Sequence, residues 1–258
     1  TGINIETSTY SVTTISSDET VLEAGIVLSK QNIGVLGVVD NDRIVGILSE
    51  RDILERAKKV YYFIQDHYSW NEDYKIFSDM NVKRAFKNKV GSVGEVNISL
   101  INALDASGIN TEMVLLSTRH NGTPTKIHPV KTDFNYIIAK IKVGTKTYLL
   151  DATDKNLPFG VLPYRCLNGD ARVMDFKNGS YWEKIEPLAT TQEKTFMMMT
   201  LNDDGVLEGK MRVSHYGYDA IEKREEIKTK KEDKYIENLE DINDGLEIES
   251  YKNTNLNE

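Results

Sequence analysis

Gly91-Ser92-Val93-Gly94-Glu95-Val96-Asn97 opens an apolar run that continues to Asn102-Ala103-Leu104-Asp105-Ala106-Ser107-Gly108-Ile109. The spacing predicts a helix over 95–107. Glu95 falls in its first turn, where a carboxylate complements the positive end of the helix dipole, and that structural role is sufficient to explain it. Val93 stands two residues ahead of Glu95.

Two downstream segments belong to the same reading, Phe134-Asn135-Tyr136 and Leu150-Asp151-Ala152-Thr153. Trp70-Asn71, Ser117-Thr118-Arg119 and Leu162-Pro163-Tyr164-Arg165-Cys166-Leu167-Asn168-Gly169 complete an ordered set of blocks over about residues 56–220. Together these blocks resemble a subgroup of bacterial transglutaminase-like proteins in which a β-rich domain follows the catalytic-type fold. The resemblance implies a papain-like cysteine-protease fold. It also implies a G-x-C-x-[DE] nucleophile at position 93, a histidine within F-N-H at 136 and an orienting acid within L-D-x-T at 151. Positions 93 and 136 lie 43 residues apart and 136 and 151 lie 15 apart, which suits a helix, two strands and a hairpin between them. This chain keeps only Asp151. Val93 and Tyr136 stand where nucleophile and base belong, and without that pair covalent catalysis is lost, so a pseudoenzyme is expected.

Residues 12–54 form a separate pattern. Ser16-Ser17-Asp18-Glu19 reads as a capping box for a helix through Gln31, with Val21, Ala24 and Leu28 on one face. Strands are expected over 34–40 and 43–49, joined at Asn41-Asp42. This strand–helix–strand–strand–helix order, with T-I-S-S-D-E-T-V and G-I-L-S-E-R-D-I, resembles one cystathionine-β-synthase (CBS) motif. In that family paired motifs form a cleft for adenine nucleotides. The resemblance therefore makes Ser49 and Asp52, in Gly46-Ile47-Leu48-Ser49-Glu50-Arg51-Asp52, the candidate phosphate and ribose contacts. The plainer alternative has Asp52 capping the next helix and Ser49 ending a strand. One motif offers half a cleft, so a homodimer through this unit is the partner it implies.

No Pro or Gly interrupts residues 51–68, and Ile53, Ala57, Val60 and Ile64 recur at helical spacing. The last helix of the first unit then runs directly into the next part; a fusion boundary near Arg56, natural or engineered, is the other reading. The expected domains are 1–55 (CBS-like), 56–190 (transglutaminase-like) and 191–258 (a β-rich segment with one charged helix). Strands are expected over 113–118, 134–143 and 146–151, with a turn at Gly144-Thr145. The loop 120–133 holds Gly122, Pro124 and Pro129 and would border the cleft. A hairpin over 196–201 and 206–214 turns at Asp203-Asp204-Gly205. A helix over 220–239 and a strand over 246–251 close the pattern.

The 258 residues carry a net charge of −8 and a pI near 5.2, which argues against a nucleic-acid surface. No apolar run reaches the roughly 20 residues needed to span a bilayer as a helix. No signal-peptide pattern opens the chain, and Thr1 in place of methionine leaves a processed or trimmed start open. Cys166 is the single cysteine, so no disulfide forms within the chain. An adjacent Arg165 would lower its pKa, yet no histidine is near it in sequence, and catalysis there is not expected. The histidines are His67, His120, His128 and His215; His120 and His128 flank one loop without a third ligand at zinc-type spacing, so no metal site is expected.

Tyr136 either fills the imidazole's space in the core or keeps a hydrogen bond. Asp151 either bonds Tyr136 or holds backbone amides. Met197-Met198-Met199 should alternate between two faces of a strand, with at least one methionine buried. Trp70 and Trp182 should anchor helix and sheet edges, and the mixed charges from Glu222 to Asp233 read as a solvated helix face.

The fold class read from these observations is α+β. The expected function is non-catalytic: a binding or scaffold protein whose degenerate cleft (Val93, Tyr136, Asp151) recognises a peptide or glycan-linked ligand. The alternative is an adenine-nucleotide-sensing module acting through paired CBS-like units, and an active acyl transferase or thiol hydrolase is third. No cofactor is expected beyond that nucleotide. The two resemblances pull localisation apart, towards the cytoplasm for the first unit and outside the inner membrane for the second.

Overall fold

The computed structural model describes residues 12–188 and 190–256 and has an α+β architecture. It divides into two units, Thr1–Lys155 with Phe159–Glu186, and Asn156–Pro158 with Pro187–Glu258.

The first unit begins with β1 (Thr14–Ser16), α1 (Val21–Gln31), β2 (Val35–Asp40), β3 (Arg43–Ser49) and α2 (Glu50–His67). β1 pairs parallel to β2, and β2 pairs antiparallel to β3. Asn41 and Asp42 both take positive φ, 47° and 60°, the primed turn geometry that matches strand twist in a two-residue hairpin. The cap of α1 lies four residues later than expected. Thr20 bonds the Glu23 amide and Glu23 bonds back, while Ser16 ends β1. Both S-x-x-E and T-x-x-E satisfy the motif, and pairing with β2 takes Ser16.

Helix α2 is continuous for 18 residues, so positions 55 and 56 lie in mid-helix. Its buried side chains Ile53, Ala57, Tyr61 and Ile64 fall on one stripe and join the same core cluster as Leu28 and Leu36 on one side and Val93 and Tyr136 on the other. Each large apolar side chain so buried contributes roughly 1.5–3 kcal/mol.

Beyond α2 come β4 (Ser69–Trp70), α3 (Val82–Asn88), β5 (Val90–Gly91), α4 (Val93–Ala106), β6 (Thr111–Leu116), β7 (Tyr136–Val143), β8 (Lys146–Leu150), β9 (Asp170–Met174) and β10 (Tyr181–Lys184). The sheet order is β10-β9-β6-β7-β8, all antiparallel, with α4 packed on β7 and a small parallel β4-β5 pair alongside. Trp182 on the edge strand β10 stacks with Phe134.

The second unit holds β11 (Gln192–Leu201), β12 (Leu207–Tyr216), α5 (Tyr218–Lys230) and α6 (Glu232–Ile242). Three expectations are corrected here. The single helix over 220–239 is two, because Lys231 at φ 66° interrupts the hydrogen-bonded run. Residues 246–251 form no strand; Ile248 and Tyr251 tie back to Glu240 and Asp233 instead. None of Met197, Met198 and Met199 is buried, since β11 and β12 pair only with each other. Among the described residues no helix is long and apolar enough to cross a membrane.

Candidate functional site

Position 93 is the first residue of α4. Ser92 is its N-cap, in a reciprocal box with Glu95. Burial pushes the Glu95 carboxyl up, but bonds from the Asn81 and Ser92 amides outweigh this and hold it below its ordinary range. The remaining start of the helix is closed by the preceding loop: the Val93 amide donates to the Asp73 carbonyl at 2.9 Å, and the Gly94 amide to that of Lys75 at 3.1 Å. The fit is tight enough that a side chain at Gly94 would stand 2.7 Å from the Lys75 carbonyl. An oxyanion hole needs free donors aimed at open space. The amides of residues 93, 94 and 95 are all taken.

Tyr136 begins β7 and Asp151 follows β8, so their antiparallel pairing brings the two side chains together. The Tyr136 hydroxyl donates to Asp151 Oδ2 at 2.8 Å and lies 2.9 Å from Thr153 Oγ1. Asp151 Oδ1 accepts from Asn97 Nδ2 of α4 and from the Thr153 amide, and Asn97 in turn bonds the Ile137 carbonyl and the Ala152 amide. Arg165 places Nη2 2.9 Å from the Tyr136 hydroxyl, 2.7 Å from Thr153 Oγ1 and 3.8 Å from Asp151 Oδ2, with its guanidinium over the Trp70 ring. Burial pushes the Tyr136 phenol up and the Asp151 charge pushes it further, so it stays protonated at neutral pH. Burial works against the Arg165 charge, but Tyr136 and Asp151 more than offset it. The network reaches α2: Tyr61 donates to the Asp151 carbonyl, and Gln65 bonds the Tyr61 hydroxyl.

Val93, Tyr136 and Asp151 are the positions expected to line a ligand-recognising cleft. Each is 0% exposed and belongs to a closed, internally bonded cluster. Cys166 is buried beside it. Burial drives its thiol up, and the Arg165 charge expected to lower it is outweighed. Asn97, Thr153 and Arg165 are partners that spacing alone does not reveal; Thr153 lies in the L-D-x-T block, but Arg165 reaches the cluster from the short 3-10 turn Tyr164–Cys166. The loop 120–133 folds on itself through Asp133 and Asn121, leaving His120 and His128 exposed.

Ser49 and Asp52 form the cap of α2. Asp52 Oδ2 accepts from the Ser49 amide at 2.9 Å and hydroxyl at 2.7 Å, and the Asp52 amide donates back to the hydroxyl. Those bonds hold the Asp52 carboxyl below its usual range. Asp52 is exposed and Ser49 half-buried, so the pair remains reachable. Two shallow concavities lie on this part of the unit, one between β1 and the Asn41-Asp42 turn and one between β1 and α1; neither is lined by Ser49 or Asp52.

The family model described as the CBS domain matches residues 5–59. No curated protein matches the chain. A solved structure described as "a putative protease" from Parabacteroides distasonis is similar at 15% identity and a TM-score of 0.35, over 52% of this chain and 24% of that one. This chain therefore spans about a quarter of that protein's length, and the likeness is too loose to fix a fold.

Proposed function

We propose that the chain is a non-catalytic regulatory or scaffold protein, in which a CBS unit is joined by one continuous helix to a transglutaminase-like domain whose site has closed. The observation that carries this reading is the sealed start of α4: the side chain at position 93 is an alkyl group, and the adjacent amides are bonded to Asp73 and Lys75. Tyr136 and Arg165 around Asp151 serve as structural glue on this reading. The purified protein should show no turnover with amine-donor or peptide substrates and no labelling by a thiol-directed probe while folded. Turnover abolished by Cys166→Ser would sink the proposal.

An adenine-nucleotide-sensing role is favoured by the outer face of the first sheet. Val35, Ile44, Val45 and Ile47 are 51–71% exposed there, an apolar surface suited to a second copy of the unit. Pairing would set each Asp52 against a shared cleft. The lost bond to a charged group is worth about 1.5–3 kcal/mol, so Asp52→Ala should weaken AMP, ADP or ATP binding about tenfold or more by calorimetric titration. Absence of heat with all three at millimolar concentration would leave the unit a structural or dimerising element.

A further inference from the structure

The strand-to-helix corner of the second unit gathers three metal-type ligands. Glu193 on β11 and His215 on β12 are direct cross-strand partners. Gly217 then takes φ 63° and ψ −134°, and a side chain there would run into the Thr190 carbonyl. Glycine alone permits this corner, which turns β12 straight into α5 and sets Asp219 in the first helical turn. His215 Nδ1 lies 2.5 Å from Asp219 Oδ2 and 3.7 Å from Glu193 Oε2, and the three ligand atoms all lie within 4.8 Å of one another.

We propose that Glu193, His215 and Asp219 bind a divalent transition-metal ion of the zinc class. Metal–ligand lengths of about 2.0–2.2 Å in a tetrahedral shell separate neighbouring ligand atoms by about 3.3 Å. The observed separations bracket that value, so small side-chain rotations form the shell. One imidazole nitrogen with two carboxylate oxygens is a borderline donor set that suits zinc, cobalt and manganese better than calcium. The carboxylate charge is only partly met: among the described residues the ion pairs of Glu193 and Asp219 are with His215 alone, and Lys223, one turn beyond Asp219, feels the Asp219 charge but bonds Glu226. Three protein ligands leave a coordination position for water on the exposed Glu193 side.

The rival occupant of the same geometry is a proton, with His215 as an imidazolium between two carboxylates. Calorimetric titration of zinc chloride into the full chain separates the two. One saturable site per chain at micromolar zinc is expected, weakened roughly tenfold or more by His215→Ala and by the nearly isosteric Asp219→Asn, and less by Glu193→Gln. Cobalt(II) should give visible d–d absorption that His215→Ala abolishes. His120→Ala with His128→Ala should leave binding unchanged. No saturable binding, binding retained in both His215→Ala and Asp219→Asn, or loss on removing His120 and His128 would overturn the proposal.

Discussion

Two helices of the first unit start with the same device and end in opposite surroundings. Ser49 with Asp52 and Ser92 with Glu95 form the same reciprocal box, each side chain bonding the other's backbone amide. At α2 the carboxylate is exposed; at α4 Ser92 and Glu95 are 2% and 9% exposed, beneath a loop that also bonds the neighbouring amides. A local motif thus fixes where a helix starts, whereas chemistry at that start depends on what the rest of the chain lays over it. One continuous helix touches both surroundings, since α2 has an exposed cap at one end and Tyr61 bonded to the Asp151 backbone further along.

The largest expected effect tests the buried side. Asp151→Ala removes the acceptor shared by Tyr136, Asn97 and Thr153 and leaves Arg165 facing an unfilled site. Breaking a buried charged network by deleting one member costs about 3–5 kcal/mol. Urea denaturation should register that loss, and a cost below about 1 kcal/mol would mean the cluster is not the internal glue described here.

A smaller effect sharpens the contrast between the caps through pH. The folded-state pKa of Glu95 lies below its ordinary value of 4.5, so its contribution is fully present above that value and is lost as the pH falls through the folded pKa. Glu95→Gln keeps the shape and removes the charge. It should cost about 1–2 kcal/mol at pH 7. As the pH falls through the folded pKa the wild-type side chain gains a proton and the gap should narrow. A gap unchanged by acid would mean that the charge contributes nothing.

Much of this architecture is legible in local chemistry. The Asn41-Asp42 turn, the apolar stripe of α2 and the helix after Ser92 follow from residue spacing and turn preference. The pairing of Tyr136 with Asp151 is reachable once β7 and β8 are read as a hairpin. What spacing does not carry is long-range covering. Asp73 and Lys75 close α4 through main-chain carbonyls, which have no side-chain signature, and Arg165 arrives from the separate 3-10 turn Tyr164–Cys166. The same limit applies to the second unit. Met197, Met198 and Met199 alternate as a strand should, but their burial depends on a facing layer. His215 and Asp219 share the i, i+4 interval of a ligand pair, yet Glu193 joins them only through cross-strand register.

The central claim is that the start of α4 is sealed against chemistry, and Val93→Cys in a Cys166→Ser background tests it most directly. A thiol-directed probe applied to the folded protein should leave the new cysteine unlabelled, with no turnover of amine-donor or peptide substrates, and labelling should follow only when denaturant is added. Rapid labelling of the folded protein, or turnover restored by the single cysteine, would contradict the account and show that the start of α4 opens to solvent.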